Sequence, residues 1–124
     1  MKNDNILRLY SLVREDLGMT EGKKIAQAGH AYLGAFIAAD PSLQKEYHSE
    51  FPAHPGTKVC LAAKNLHSLL RAKEEAEAAG IPAFLVTDSG CENFFDGKPT
   101  ITALGLGPAS KDQIKQITKR FQLV

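Results

Sequence analysis

The residues best suited to chemistry lie in one short segment, EGKKIAQAGHA at positions 21–31. On an α-helix, Lys23, Gln27, His30 and Gly34 fall within about 60° of arc and share one narrow stripe. A lysine in the first helical turn faces the positive end of the helix macrodipole, which costs about 0.3–1 kcal/mol without a nearby negative group. The segment therefore predicts an anion, or an oxygen that becomes negative during a reaction, beside the helix start. The same pattern also fits a solvated helix surface on which Gln27 and His30 are ordinary boundary residues.

A second group of candidates follows a predicted strand in the segment VTDSGCEN, positions 86–93. Asp88 ends that strand just before Gly90, and ligands of open α/β sheets gather beyond the carboxyl ends of strands. The carboxylate is predicted to act as a general base or to orient a water, or else simply to cap the turn. Thr100 and Thr102 are two apart on the next strand and so face one side. If the two strands pair, Thr102 lies beside Asp88 as a hydroxyl donor, although threonine is also a good strand former.

The elements that must position these residues alternate along the chain. Branched and apolar runs predict strands at 6–14, 58–63, 82–87 and 100–106, and helices are predicted at 22–39, 42–51 and 65–79 and from 110 onward. Thr20, Asn65 and Ser110 are the expected helix caps, the last with Gln113 in a capping box. The strands are nearly continuous apolar runs, which indicates a sheet covered on both faces. The predicted fold is a three-layer α/β/α domain with a mixed four-stranded sheet, in which the absence of a helix between the third and fourth strands requires an antiparallel strand.

The remaining faces of the first helix predict how it packs. Its larger apolar residues fall on one side, which is expected to face the core. These residues are Ile25, Ala26, Tyr32, Leu33, Phe36 and Ile37. A third face carries Ala28, Ala31 and Ala35, which are small enough for another element to approach closely.

Composition predicts a single soluble domain over residues 1–124, with 44% hydrophobic and 23% charged residues. A net charge of +1 neither indicates nor excludes nucleic-acid binding. The two cysteines and four histidines show no zinc-ligand spacing, so neither a metal nor a cofactor is predicted. No signal peptide and no apolar run of about 20 residues is recognised, so a cytoplasmic protein without a membrane span is expected.

Four segments in order resemble the type 2 peptidyl-tRNA hydrolase family from about residue 8 to the C-terminus. They are LVREDLGMTEGKKIAQAGHA, GTKVCLAAKN, AGIPAFLVTDSG and TITALGLGPA. The resemblance implies a mixed four-stranded sheet sandwiched by helices, a homodimer, and hydrolysis of the ester that joins a peptide to the terminal ribose of tRNA. It places the family's proposed catalytic residues on Lys23, Asp88 and Thr102, and Gln27 and His30 match its helix pattern. Substrate-binding roles are predicted for Gln27, His30, Lys24, Gly90 and Thr100. In such a site Asp88 would orient or deprotonate water, Lys23 would stabilise the oxyanion, and Thr102 would position the water or the ribose hydroxyl.

The chain departs from that family after the Asp88 turn. Relatives have a basic or polar residue followed by threonine and glutamine, whereas this chain has Cys91, Glu92 and Asn93. A glutamate beside a catalytic carboxylate raises the pKa of one of the two groups. The adjoining Phe94 and Phe95 either stack on RNA bases or fill the core.

Three other functions stay open at the level of sequence. The chain is alternatively a non-catalytic tRNA- or anion-binding relative, a cysteine enzyme with Cys91 as nucleophile and His30 as base, or an α/β enzyme acting on another ester or amide. Phosphate contacts are expected from Lys24 and from a basic stripe on the last helix, unless that stripe is only a solvated surface. The stripe consists of Lys111, Lys115 and Lys119, with Arg120 beside it.

Overall fold

The computed structural model describes residues 5–90 and 95–124. The described residues form five strands and four helices around one sheet. In chain order they are β1 (Leu7–Arg14), α1 (Glu21–Ala38), α2 (Pro41–Tyr47), β2 (Thr57–Ala63), α3 (Leu66–Ala78), β3 (Ala83–Asp88), β4 (Thr100–Ser110), α4 (Lys111–Thr118) and β5 (Gln122–Leu123). None of these helices is long and apolar enough to cross a bilayer.

The sheet is open and mixed, with strand order β3-β4-β1-β2-β5. β1 and β2 are parallel, and the other neighbouring pairs are antiparallel, which confirms the predicted antiparallel strand. The prediction of four strands was wrong, because Gln122 and Leu123 pair with Ala62 and Leu61 as a fifth strand. A strand of two residues is too short to produce a recognisable alternation in sequence.

Helices pack on both faces of this sheet. Leu12 and Leu104 share a core cluster with Leu69 of α3 and Ile114 of α4. The residues next to them, Val13 and Ala103, belong instead to a cluster with Ala28 and Ala31 of α1. Because successive strand residues point to opposite faces, α1 covers one face of the sheet, and α3 and α4 cover the other.

The packing face of α1 differs from the prediction. Ile25, Leu33 and Ile37 are 72%, 58% and 64% exposed, so the face with the large apolar residues does not form the core. The small face, with Ala28, Ala31 and Ala35, is buried instead, which confirms the prediction that another element approaches it closely. The cause is a very close approach to β4: a Cβ built on Gly105 would lie 2.0 Å from the carbonyl oxygen of Ala31. Backbones this close leave room only for hydrogen or methyl side chains, so small size decided the packing face.

The predicted helix caps are confirmed. Side-chain oxygens of Thr20, Asn65 and Ser110 each accept a hydrogen bond from a first-turn amide, and Gln113 completes its capping box. The second helix is shorter than predicted, since α2 ends at Tyr47. β4 is longer, since it continues past the predicted end to Ser110.

Candidate active site

The start of α1 meets the end of β3 in an ion pair. The Lys23 Nζ lies 2.6 Å from Asp88 Oδ2, and the two side chains are 18% and 11% exposed. The expected anion beside the helix start is therefore the Asp88 carboxylate. The neighbouring Lys24 has its own anion, because its Nζ lies 2.9 Å from Glu15 Oε2. Two carboxylates thus offset the cost of placing lysines in the first helical turn.

Asp88 is held by two further hydrogen bonds. The Gly90 amide donates to Oδ1 at 2.8 Å, and Gln27 Nε2 donates to Oδ2 at 3.3 Å. The carboxylate therefore caps its own turn, as one of the two sequence interpretations expected, and binds Lys23 at the same time. The hydrogen bond from Lys23, followed by that from the Gly90 amide, lowers the pKa of Asp88 from its ordinary value. Asp88 is consequently ionised throughout the physiological pH range.

Gly90 is needed at this turn for two reasons. Its φ of 81° lies in the left-handed region, which favours glycine. A Cβ at this position would also come within 2.6 Å of the Gly97 carbonyl carbon. The bare backbone lets the turn close so that the Gly90 amide reaches Asp88.

Gln27 connects Asp88 to Thr102. Gln27 is 3% exposed and Thr102 is fully buried. The Thr102 hydroxyl donates to Gln27 Oε1 at 2.5 Å, whereas a donor to Asp88 was expected. Sequence reasoning missed this connection, although Gln27 one helical turn after Lys23 was the signal that it belonged to the site.

The other predicted residues are distributed around this centre. His30 is exposed on α1. Thr100 pairs with Asp88 across the β3–β4 ladder, and its hydroxyl donates to the Lys98 carbonyl at 3.0 Å. Four loop residues lie outside the described part of the chain, namely Cys91, Glu92, Asn93 and Phe94. The predictions made for these four residues therefore stay predictions. Phe95 is half-buried.

The basic stripe of α4 lies away from this centre. α4 is anchored by Ile114 in the cluster on the sheet face opposite α1. Lys111, Lys115 and Lys119 are exposed there, with Lys115 Nζ 3.5 Å from Asp112 Oδ1. This arrangement is that of a solvated helix surface.

A groove of about 610 Å³ opens beside the ion pair, between α1 and β3. We call it the α1–β3 groove. Asp88 and Gln27 lie at one end, and Leu33, Gly34, Ile37, Phe84 and Val86 line its apolar part. Within residues 5–90 and 95–124, no group of three or more His, Cys, Asp or Glu side chains is arranged to hold a metal ion.

The chain is an α/β protein with a lysine–carboxylate pair beside an open groove. In such a site a carboxylate can orient a water, and an ammonium group can stabilise a negative oxygen. The chain belongs to the family described as Peptidyl-tRNA hydrolase PTH2, whose model matches residues 7–124.

Three curated relatives match this chain over nearly their whole length. A protein named Peptidyl-tRNA hydrolase from Methanopyrus kandleri is 38% identical over 113 residues, which cover 91% of this chain and 94% of that protein. The protein of the same name from Halobacterium salinarum is 36% identical, with 89% of this chain and 93% of that protein covered. The one from Methanocaldococcus jannaschii is 29% identical, with 95% of this chain and all of that protein covered.

Proposed function

We propose that this protein hydrolyses the ester bond between a peptide, or an N-blocked amino acid, and tRNA, and so releases free tRNA. One observation carries the proposal: the Lys23 ammonium lies 2.6 Å from the Asp88 carboxylate, both side chains remain partly exposed, and a groove opens beside them. Family membership over residues 7–124 supplies the substrate class.

Asp88 orients the attacking water. A carboxylate has about four lone-pair positions, and the three donors described here occupy three of them. The remaining position, on Oδ1, is where a water is held. Because the lowered pKa makes Asp88 a weak base, it takes a proton from the water only as the new C–O bond forms, when that water becomes acidic.

Lys23 stabilises the oxyanion. As water adds to the ester carbonyl carbon, negative charge develops on the carbonyl oxygen, and the ammonium charge beside Asp88 lowers the energy of that state. The bond to the ribose oxygen then breaks, and the departing oxygen receives the proton held by Asp88. The products are a free carboxyl group on the peptide and a ribose hydroxyl on the tRNA.

Gln27 and Thr102 act as positioning residues. Both are buried, and the Thr102 hydroxyl fixes the Gln27 amide so that its Nε2 points to Asp88. We place His30, Lys24, Gly90 and Thr100 in the substrate-binding surroundings of this centre. The three-layer arrangement accompanies the proposal, supported by the two core clusters on opposite faces of the sheet. A cytoplasmic location is an expectation from the sequence, and a homodimer is one from the family resemblance, which light scattering in solution tests.

The test is a deacylation assay on N-acetyl-aminoacyl-tRNA at low and high salt. Asp88→Asn and Lys23→Ala, each shown to be folded, should lose release of the acyl group. Lys73→Ala is the matched control, because it removes a lysine paired with Glu77 on α3, on the other face of the sheet. Full activity in either site variant would remove that residue from the mechanism. Tight tRNA binding without any turnover by the unaltered chain would instead identify a non-catalytic relative.

A further inference from the structure

The α1–β3 groove extends far beyond the ion pair. On α1 it runs from Gln27 to Ala38, a distance of about 16 Å at the helical rise per residue. On β3 it runs back from Asp88 to Phe84, which is about 13 Å in a strand. β3 is an edge strand, so the groove is open along the side of the sheet. A substrate group attached to the reacting carbon therefore has a continuous path from Asp88 into the groove.

The chemistry of the groove changes along its length. Away from Asp88 its walls are mainly the apolar side chains of Leu33, Ile37, Phe84 and Val86. His30 also lines the groove, and the described lining includes neither lysine nor arginine. Cations lie instead around the start of α1, where Lys24 is paired with Glu15 and Arg14 with Asp16. RNA phosphates require cations, so the polynucleotide suits the α1 start, and the groove suits an uncharged, apolar group.

We propose that the apolar part of the α1–β3 groove binds the side chain of the amino acid esterified to the tRNA, and that Phe84 is a specificity-determining residue favouring large apolar side chains. This inference rests on the proposed function. The two substituents of the ester carbonyl, the ribose oxygen and the amino acid, leave the reacting centre in different directions. The ionic surroundings of the α1 start suit the ribose side, and the groove, whose described lining has neither lysine nor arginine, suits the amino acid.

Gly34 and Phe84 together determine how much space the groove offers a ligand. The Phe84 ring lies directly on the α1 backbone, and a Cβ on Gly34 would come within 2.0 Å of ring atom Cδ2. Phe84 is nonetheless 40% exposed, so its outer surface faces the open groove. The missing side chain of Gly34 is thus what provides space for the ring. Any substituent at Gly34 must move that ring.

The experiment measures kcat/KM with one tRNA charged in turn with N-acetyl-phenylalanine, N-acetyl-leucine and N-acetyl-glycine, so that the RNA is constant. The unaltered protein should favour phenylalanine and leucine over glycine by about tenfold, the low end of what an apolar pocket gives. Phe84→Ala should remove most of that preference, because kcat/KM for the phenylalanine and leucine esters should fall more than kcat/KM for the glycine ester. Phe51→Ala is the control, since it deletes an exposed ring (64%) that does not line the groove.

Gly34→Ala supplies an independent perturbation. The added methyl group should push the Phe84 ring into the groove and lower kcat/KM for the phenylalanine ester more than for the glycine ester. The double variant Gly34→Ala/Phe84→Ala removes the ring and should behave like Phe84→Ala alone, a non-additive result expected for residues in contact.

The possible failures are distinguishable. If the unaltered chain hydrolyses none of the three esters, the proposed function fails and the inference fails with it. If it hydrolyses all three equally, the function stands and only the inference is overturned. An equal loss with all three esters in Phe84→Ala also overturns the inference, because the ring would then contact the RNA end common to them.

Discussion

Replacing Lys23 with methionine removes the ammonium group while keeping an unbranched side chain of similar length. At the 2.6 Å separation of Lys23 Nζ and Asp88 Oδ2, the gross Coulomb energy is about 6 kcal/mol at an effective dielectric constant of about 20. Because the two side chains are only 18% and 11% exposed, the desolvation of both ions cancels much of that energy. We expect a net coupling free energy of about 1–3 kcal/mol. A domain with a typical free energy of unfolding of about 5–15 kcal/mol stays folded after this loss.

The assay is a double-mutant cycle in urea, with Lys23→Met, Asp88→Asn and the double variant. Each single variant removes the opposite charge from one member of the ion pair. The double variant should therefore be more stable than the sum of the two losses predicts, by the coupling free energy. Lys23→Met should also lose about 100- to 1000-fold in kcat, the range for removing one oxyanion-stabilising donor.

The coupling should also depend on pH, in a direction set by the lowered pKa of Asp88. A carboxyl whose pKa is lower in the folded state contributes stability that is present above the unfolded pKa and lost as the pH falls through the folded pKa. The coupling should thus be constant near neutrality and decline below about pH 4, near the unfolded value for aspartate. In Lys23→Met the Asp88 pKa should rise, which ¹³C NMR of the carboxyl carbon can follow. Zero coupling at neutral pH, or an unchanged pKa in that variant, would refute the reasoning.

The remaining predictions concern the neighbours of the ion pair. Thr102→Val leaves the buried Gln27 Oε1 without its donor, so the free energy of unfolding should fall by about 1–3 kcal/mol. The same variant should have a lower kcat and a nearly unchanged KM, whereas Thr102→Ser should restore both the stability and kcat. Gly105→Ala places a methyl group against the α1 backbone and should cost about 1–3 kcal/mol in urea unfolding; an unchanged midpoint would contradict the close packing of α1 on β4. If phosphate contacts supply the tRNA affinity, KM should rise steeply between about 50 and about 200 mM salt while kcat changes little. A KM that does not depend on the salt concentration would exclude phosphate contacts as the source of affinity.

Some features were recognisable because they depend on residues close together in the chain. The caps at Thr20, Asn65 and Ser110 require only a side chain and an amide three residues on. The turn after Asp88 likewise needs only the carboxylate and the following Gly90. The stripe of Lys23 and Gln27 follows from helical geometry alone.

Other features depend on how closely the backbones of different elements approach each other, and on how neighbouring strands pair. The prediction for the α1 core face used hydrophobicity, but the separation of α1 from β4 at Gly105 admitted only alanines. The Thr102 hydroxyl was expected at Asp88, and a bulge in the β3–β4 pairing between Val86 and Thr87 changes the register near that position. No pattern of neighbouring residues gives the separation of α1 from β4 or the register of β3 on β4.

The amino-acid sequence by itself determined the order of the four helices and of the first four strands, the helix caps and the residues from which the candidate site is made. Only the tertiary structure decided the fifth strand, the connection of Asp88 to Thr102 through Gln27, and the position of Phe84 in the space left by Gly34. The physical reason is the separation along the chain of the residues that interact. Helical periodicity and capping act over a few residues, whereas these contacts join segments as many as 75 residues apart and exist only where the packing of α1 on the sheet brings their atoms within hydrogen-bonding or van der Waals distance.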